Sequence, residues 1–343
     1  MAQTVMTPMN RKITSHISSI DRWGAVKVRL GIGRDRYRVD AGLYALGKPD
    51  HTTPVLVTAN YKLTLDVLRS SLGDLSAWIL VLDTKGINVW CAAGKGTFGT
   101  AELVNRIRQT NLWELVANKT LILPQLGAPG VAAHEVTRQT GFQVVYGPVR
   151  ASDIPAFLVR GMKADRDMRR VRFTLKDRLI VVPVEIQFAV KVLPLLYLFF
   201  LLFHLAVPGG VPLAEAIGRS WYNLLPHAVA FFLGTIGVAA LLPYLPGRSF
   251  ALKGAVLGAL WALLVVRFAG AFQIPDNGLV ITANAFMATV MTAFFALNFT
   301  GSTTFTSLSG VQKETLVSVP IMGVALLAAL VMMVIFKVNL FMV

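Results

Sequence analysis

A single cysteine lies within the stretch Asn88–Gly96, and its surroundings are typical of a chemical site. Cys91 is the only cysteine among 343 residues. An apolar run, Trp78–Asp83, precedes it, and three glycines separate it from a helical pattern that begins at Thr100. Backbone N–H groups and the helix dipole at such a strand-to-helix turn stabilise an anion and lower the pKa of a thiol. The sequence therefore predicts that Cys91 is a thiolate ligand or a nucleophile.

One cysteine limits the chemistry of the chain. It rules out a disulfide within the chain, a four-thiolate iron–sulfur cluster and a cysteine-based zinc site made by this chain alone. Nucleophilic catalysis by Cys91 would need a histidine base, and His134 lies inside a helical pattern, where a structural role is the simpler interpretation. The small residues from Ala92 to Gly94 leave room for a large ligand to approach the backbone.

The glycines after the cysteine match a nucleotide-binding pattern only in part. Gly94, Gly96 and Gly99 have the G-x-G-x-x-G spacing of dinucleotide-binding loops. Such a site also requires an acidic residue at the end of the next strand, where this chain has Pro124 and Gln125. The turn does not supply the G-x-x-x-x-G-K-S/T loop of nucleoside triphosphatases either. Neither kind of nucleotide site is predicted.

The elements that position Cys91 form an alternating series of strands and helices. Strands are predicted at Pro54–Asn60, Trp78–Asp83, Thr120–Leu123 and Phe142–Tyr146, and helices at Leu63–Leu72, Thr100–Ala117, Val131–Thr140 and Ile154–Arg160. Apolar strands that alternate with helices of this length predict a parallel sheet covered on both faces. Ligands of such sheets bind at the carboxyl ends of the strands. This rule gives Thr58, Asn60, Thr64, Gly127, Gly130 and Tyr146 as further candidate contacts with a ligand.

The segment before these strands is predicted to differ from them. Trp23–Val39 alternates apolar and basic residues, which indicates an antiparallel or edge strand pair. The arginines at positions 34, 36 and 38 favour a solvated strand face, with anion binding as the alternative. The preceding residues 1–20 are predicted to be a poorly ordered lead-in. They contain no apolar run, so no cleaved signal peptide is expected.

Composition changes sharply near residue 185. Only seven of the 33 Lys and Arg and three of the 18 Asp and Glu lie beyond that point. Segments close to the roughly 20 residues needed to cross a bilayer follow. They lie at about Ile186–Val207, Asn223–Leu245, Ala251–Ala271, Leu279–Phe299 and Leu316–Leu340, with a kink expected at Pro194.

These patterns predict an α/β domain over residues 21–160, a basic juxtamembrane linker over 161–185 and an all-α transmembrane domain of five helices over 186–343. The basic linker favours a cytoplasmic position for the α/β domain in a multi-pass protein of the inner membrane. Contact of the linker with anionic lipid is the alternative to a simple topogenic role. Nucleic-acid binding is not predicted, because no aromatic residues are interleaved with the basic ones.

The octapeptide Asn88-Val89-Trp90-Cys91-Ala92-Ala93-Gly94-Lys95 resembles the characteristic turn of the corrinoid proteins that methylate mercury in anaerobic microbes. The resemblance covers the whole chain, since that family has a corrinoid-binding domain followed by five membrane spans. Leu43–Pro49 and Pro54–Lys62 are similar to the corrinoid domain of the corrinoid iron–sulfur protein of the acetyl-CoA pathway, a more distant relative. The D-x-H-x-x-G motif of methionine-synthase-type corrinoid domains is absent.

The resemblance implies a Rossmann-like corrinoid-binding domain whose cofactor is a cobalamin-type corrinoid, with no iron–sulfur cluster in this chain. Cys91 thiolate would be the lower axial ligand of cobalt. The other seven residues of the octapeptide would shape the turn and contact the corrinoid. The methyl group would reach mercury(II) as a carbanion equivalent and give methylmercury.

The resemblance also implies partners. A ferredoxin-like protein with two 4Fe–4S clusters would donate electrons, and a methyl-folate-linked donor would supply the methyl group. The alternative function is a membrane-anchored corrinoid methyl carrier of one-carbon metabolism that methylates mercury incidentally. A transporter is disfavoured because few ionisable residues occupy the centres of the predicted spans.

Overall fold

The computed structural model describes residues 11–272, 275–301 and 306–342. The chain divides into two compact units at Arg172 and Phe173. We call the first the α/β unit and the second the helical unit. Arg29–Gly31 group with the helical unit. The predicted linker over 161–185 is thus shared between the two units.

The α/β unit is built on a six-stranded sheet with the order β1-β2-β4-β3-β5-β6. The strands are β1 (Arg11–Ile13), β2 (Gly42–Leu46), β3 (Val55–Ala59), β4 (Ala77–Leu82), β5 (Thr120–Leu123) and β6 (Gln143–Tyr146). The four predicted strands are confirmed as β3 to β6, and they pair in parallel. The sheet as a whole is mixed rather than parallel, because β2 pairs with β4 in the antiparallel direction.

Two predictions for the first forty residues are wrong where the structure describes them. Arg11–Ile13 pairs in parallel with β2 instead of belonging to a disordered lead-in, and residues 1–10 lie outside the described residues. Trp23–Val39 is not a strand pair, because helix α1 runs over Ser19–Arg29 and a short 3-10 helix over Arg34–Arg36.

Local and tertiary contacts explain why α1 forms despite its alternating pattern. The Ser18 hydroxyl accepts a hydrogen bond from the Asp21 N–H, and the Asp21 carboxylate accepts one from the Ser18 N–H. This reciprocal pair satisfies two backbone donors at the start of the helix. Asp21 also pairs with Lys62 at 2.5 Å and with Arg69 at 2.8 Å, and these cations belong to the next helix.

Helices cover both faces of the sheet, as predicted. The helices of this unit after α1 are α2 (Lys62–Ser71), α3 (Val89–Gly94), α4 (Thr100–Gln109), α5 (Leu112–Leu115), α6 (Ala133–Thr140) and α7 (Ile154–Val159). Along β4, Leu80 and Leu82 pack on the face that carries α3, α4 and α6, whereas Ile79 and Val81 pack towards α2 and α7. The helix predicted over Thr100–Ala117 is broken at Asn111, which has a left-handed φ of 46°.

The described part of the helical unit contains five long apolar helices and two short helices of four or five residues. They are α8 (Leu175–Leu179), α9 (Pro183–Leu205), α10 (Leu213–Phe232), α11 (Val238–Leu241), α12 (Phe250–Leu264), α13 (Gly278–Gly301) and α14 (Leu308–Met342). Short π-helical stretches continue α10 into α11 and extend α12. The segment predicted to begin at Asn223 is helical from Leu213 onward.

Among the described residues, four helices are long and apolar enough to cross a membrane. A fifth span results if Leu175–Gln187 and Lys191–Leu205, which meet at 49°, are counted together. The bend lies about one turn before Pro194, whose ring removes a backbone hydrogen bond to the carbonyl of residue 190. Five spans remain a prediction.

Two glycines bring α12 close to α13. A Cβ atom at Gly254 would lie 2.5 Å from the Ala296 Cβ, and one at Gly258 would lie 2.9 Å from the Thr289 Cα. Their spacing is the G-x-x-x-G pattern that allows helix backbones to approach within a membrane. The pair was not recognised from the sequence, although its pattern is visible there.

Candidate functional site

Cys91 lies in the first turn of α3, a six-residue helix, rather than in a loop ahead of a longer one. The residue before the helix, Asn88, has an extended backbone and accepts a hydrogen bond from the Cys91 N–H through Oδ1 at 2.9 Å. This is the arrangement of a helix N-cap, which satisfies a backbone donor that has no partner within the helix. Asn88 therefore fixes the backbone that carries the thiol.

The octapeptide separates into an inner and an outer face because of this helix. Val89, Ala92 and Ala93 are buried in the core that they share with β4, whereas Trp90 and Cys91 are half-buried. Gly94 and Lys95 are exposed at the end of the helix. The spacing i, i+3, i+4 of the buried residues is that of one helix face. The thiol thus lies on a partly open surface whose reverse side is anchored in the core.

The thiol of Cys91 is not acidified by its position. Burial is the largest effect and raises its pKa above the ordinary value, while the Asn88 side chain and the charges of Lys95 and Arg34 act in the opposite direction. The predicted lowering of the pKa is therefore wrong for the protein alone, because desolvation disfavours the thiolate. A metal that binds Cys91 must displace the proton, which makes binding depend on pH.

Asn60 holds the loop that leads into α3. Its Oδ1 accepts hydrogen bonds from the Thr84 N–H, the Thr84 hydroxyl and the Gly86 N–H, at 3.1, 2.9 and 2.9 Å. Its Nδ2 donates to Asp83 at 3.1 Å. Asn60 is only 3% exposed, so its side chain organises the loop from beneath. The structure places it near Cys91 in the fold but in a supporting position.

Gly127 and Gly130 also lie beside α3, in the short helical segment Gln125–Gly130 that follows β5. A Cβ atom at Gly130 would lie 2.1 Å from the Phe98 carbonyl oxygen and 3.1 Å from the Ala93 Cα. One at Gly127 would lie 2.6 Å from the Phe98 ring. The absence of side chains at both positions lets this segment pack directly against the loop after α3.

Three other predicted site residues are not gathered at the thiol. Thr58 is 3% exposed within β3, and Thr64 lies on α2, which packs on the opposite face of the sheet from α3. The Tyr146 hydroxyl donates a hydrogen bond to the Val131 carbonyl at 2.5 Å, and burial raises its pKa. These residues lie within the framework of the unit, and their role as cofactor contacts remains a prediction.

An arginine-bearing turn lies at the same edge of the sheet. The Val39 N–H donates to the Asn60 carbonyl and the Lys62 N–H to the Tyr37 carbonyl, while Arg38 forms a β-bridge with Tyr61. These contacts fix residues 37–39 over the carboxyl end of β3. We call Arg34–Arg38 the arginine turn. The sequence pattern assigned it to a strand face, so its position against Gly86, in the loop that leads to α3, was missed.

The donor atoms around Cys91 fit a metal that brings its other ligands with it, because the site offers a single soft donor. Among the described residues, no group of three or more His, Cys, Asp or Glu side chains could hold a metal ion. A corrinoid supplies the ring ligands of its own metal, so a protein would need only a single donor to ligate it. The half-exposed sulfur of Cys91 is a donor of that kind.

The strand order β4-β3-β5-β6 is that of a doubly wound sheet, in which successive parallel strands are added first on one side of β3 and then, from β5 onward, on the other. The carboxyl edge of such a sheet is where its ligands bind. Residues 32–158 match the family described as CdhD, the CO dehydrogenase/acetyl-CoA synthase delta subunit. The match falls within the α/β unit.

Curated relatives point the same way. The chain is 37% identical over 122 residues to the acetyl-CoA decarbonylase/synthase complex subunit gamma of Methanothermobacter thermautotrophicus, covering 35% of this chain and 26% of that protein. It is 33% identical over 127 residues to the subunit of the same name from Methanopyrus kandleri, covering 36% and 27%. It is 30% identical over 122 residues to the corrinoid/iron-sulfur protein large subunit of Moorella thermoacetica, covering 35% and 27%. The chain spans about a quarter of the length of these relatives.

Proposed function

We propose that this protein is a membrane-anchored, corrinoid-dependent methyltransferase that converts mercury(II) to methylmercury. The observation that carries the proposal is the position of Cys91, a lone soft donor on the outer face of a short helix at the ligand-binding edge of the sheet. Similarity of the α/β unit to a corrinoid/iron-sulfur protein supports the cofactor class. The octapeptide around Cys91 supports mercury as the acceptor.

Each residue of α3 has a role in this proposal. Cys91 would hold the cobalt through its deprotonated sulfur, and the exposed surface of Trp90, Gly94 and Lys95 would contact the corrinoid. Val89 and Ala92 hold the helix in the core, so the sulfur stays in place when the ligand binds. The corrinoid, when bound, supplies the methyl group that is transferred. A thiolate is a stronger electron donor than a neutral imidazole, which favours transfer to an electron-poor, soft acceptor such as mercury(II).

Electrons must come from another protein, because a chain with one cysteine does not ligate a four-thiolate iron–sulfur cluster. The proposal therefore includes a ferredoxin-like partner with two 4Fe–4S clusters and a methyl-folate-linked donor. The helical unit anchors the protein in the inner membrane, with the α/β unit in the cytoplasm. Four to five apolar helices of sufficient length among the described residues support the membrane anchor.

Substitution of Cys91 tests the proposal directly. We expect Cys91→Ala to abolish methylmercury formation and to remove the sulfur–cobalt features from the absorption spectrum of the purified holoprotein. Cys91→His should retain some corrinoid and lose most of the activity, since imidazole donates less charge. The measurements are methylmercury yield and the visible spectrum of bound corrinoid.

His134→Ala is a suitable control, because His134 is exposed on α6 and should leave both measurements unchanged. Full activity in the alanine variant would refute the ligand role of Cys91. A holoprotein spectrum without sulfur ligation would refute it as well, even if mercury were methylated.

A second candidate function has its own support. The similar proteins are named as subunits of acetyl-CoA decarbonylase/synthase complexes, which favours a corrinoid methyl carrier that serves another enzyme. Deletion of the gene separates the two functions. Loss of mercury methylation with intact growth on one-carbon substrates favours the dedicated methyltransferase, whereas impaired growth favours the carrier.

A further inference from the structure

The arginine turn and the end of α3 both bring cations to the edge of the sheet that carries the thiol. Lys95 follows the last residue of α3, and the arginine turn lies against the loop before α3, since a Cβ atom at Gly86 would be 3.7 Å from the Asp35 carbonyl oxygen. Arg38 lies on the loop side of the site, since a Cβ atom at Gly86 would be 3.4 Å from the Arg38 Cβ. The three side chains belong to exposed residues at the edge where the sheet binds ligands.

These cations are not used to stabilise the fold. Within the described part of the chain, no carboxylate forms an ion pair with Arg34, Arg38 or Lys95. Nearby Lys85, by contrast, pairs with Asp83 at 2.7 Å. Asp35 is the acidic side chain within the arginine turn, and it is exposed. The surface beside the thiol therefore has an excess of positive charge.

We propose that Arg34, Arg38 and Lys95 form a phosphate-binding site for the nucleotide tail of the corrinoid, which extends the proposed function and rests on it. A cobalamin-type corrinoid carries an anionic phosphodiester in that tail. When a protein sulfur occupies the lower position of cobalt, the base at the end of the tail is displaced, and the tail lies free to contact the protein. Arginine binds phosphate through parallel N–H groups, which gives geometric selectivity in addition to charge.

The backbone around these residues suits the role. Residues 37–39 are held by main-chain hydrogen bonds with Asn60 and Lys62, so Arg38 projects from a fixed segment. Asn88 fixes the start of α3, and Lys95 follows its end. The cations therefore need little backbone ordering when a ligand binds, which limits the entropic cost of binding.

The test compares two probes that differ only in a phosphate group, cobinamide and cobinamide phosphate. Their dissociation constants are measured by absorption titration against the full-length protein and the variants Arg34→Gln and Arg38→Gln. Each variant should bind cobinamide phosphate about fivefold more weakly, as expected for one lost charge-assisted contact at an exposed site. Neither variant should change the affinity for cobinamide by more than about twofold on the same grounds.

Arg108→Gln is the matched control. Arg108 is exposed in the last turn of α4, so this substitution removes the same charge at a position away from the site. Inorganic phosphate should weaken the binding of cobinamide phosphate to the unaltered protein and should leave the binding of cobinamide unchanged. Equal losses for both probes, or no loss for either, would overturn the phosphate site. Failure of the unaltered protein to bind either probe would instead refute the proposed function, and the phosphate site with it.

Discussion

At the scale of single residues, Asn60 shows how one buried polar side chain can hold the loop that leads to a site. Its carboxamide joins β3 to the loop of Asp83–Gly86, and that loop continues into Asn88 and α3. The sequence placed Asn60 correctly at the carboxyl end of a strand. It did not show the direction of the side chain, since that depends on a loop more than twenty residues later.

Asn60→Ala should therefore lower the free energy of unfolding of the α/β unit by about 2 to 4 kcal/mol, because buried donors on Thr84 and Gly86 lose their acceptor. Corrinoid affinity should fall with it, since the loop no longer fixes α3. Chemical denaturation followed by tryptophan fluorescence measures the first effect. Asn105→Ala, on the exposed side of α4, should change neither quantity; a stable Asn60→Ala protein would contradict the supporting role.

The pKa of Cys91 marks the limit of residue-level prediction. The pattern predicted a turn ahead of a helix that begins at Thr100, whereas Cys91 lies in a separate short helix that Asn88 caps. The direction of the pKa shift of Cys91 was not predicted correctly either, because it depends on how much of the thiol is buried. Burial is a property of the folded packing around α3, which a local pattern does not contain.

At the scale of elements, the strands that hold the site were predictable and the edge of the sheet was not. β3 to β6 are continuous apolar runs that need no partner to be recognised. β2 was missed although it is an apolar strand as long as β3, and β1 is a three-residue strand whose order comes from its main-chain pairing with β2. α1 resembles a strand in sequence, and ion pairs with α2 help to hold it as a helix.

The contact between α12 and α13 gives an element-scale prediction. Gly254→Leu and Gly258→Leu should each destabilise the helical unit by about 1 to 3 kcal/mol, because the new side chain collides with α13. Thermal denaturation in detergent measures the loss. Gly218→Leu is the control, since a Cβ atom at this helical glycine meets nothing within 4 Å; equal effects at all three positions would contradict close helix packing at α12.

At the scale of the whole molecule, the single cysteine provides a natural probe of topology. Our proposal places the α/β unit in the cytoplasm, and Cys91 is half-exposed in that unit. A membrane-impermeant maleimide should therefore label the protein in inside-out vesicles and not in right-side-out vesicles. Labelling should become faster as pH rises, because the raised pKa of Cys91 keeps the thiol protonated at neutral pH.

A cysteine introduced as Pro208→Cys into the Cys91→Ala protein serves as the opposite marker. Residue 208 lies in the turn between α9 and α10, which is expected on the outer side of the membrane. It should react in right-side-out vesicles. Labelling of both positions from the same side would contradict the proposed orientation.

The division of α3 into two faces has a consequence for change by mutation or design. Val89, Ala92 and Ala93 bind the helix to the scaffold, whereas the residues that would meet a ligand point away from it. Substitutions on the exposed face can therefore change which ligand binds without disturbing the packing of α3 on the sheet. The exposed residues of α3 can therefore be varied while its buried residues keep the helix in the same position.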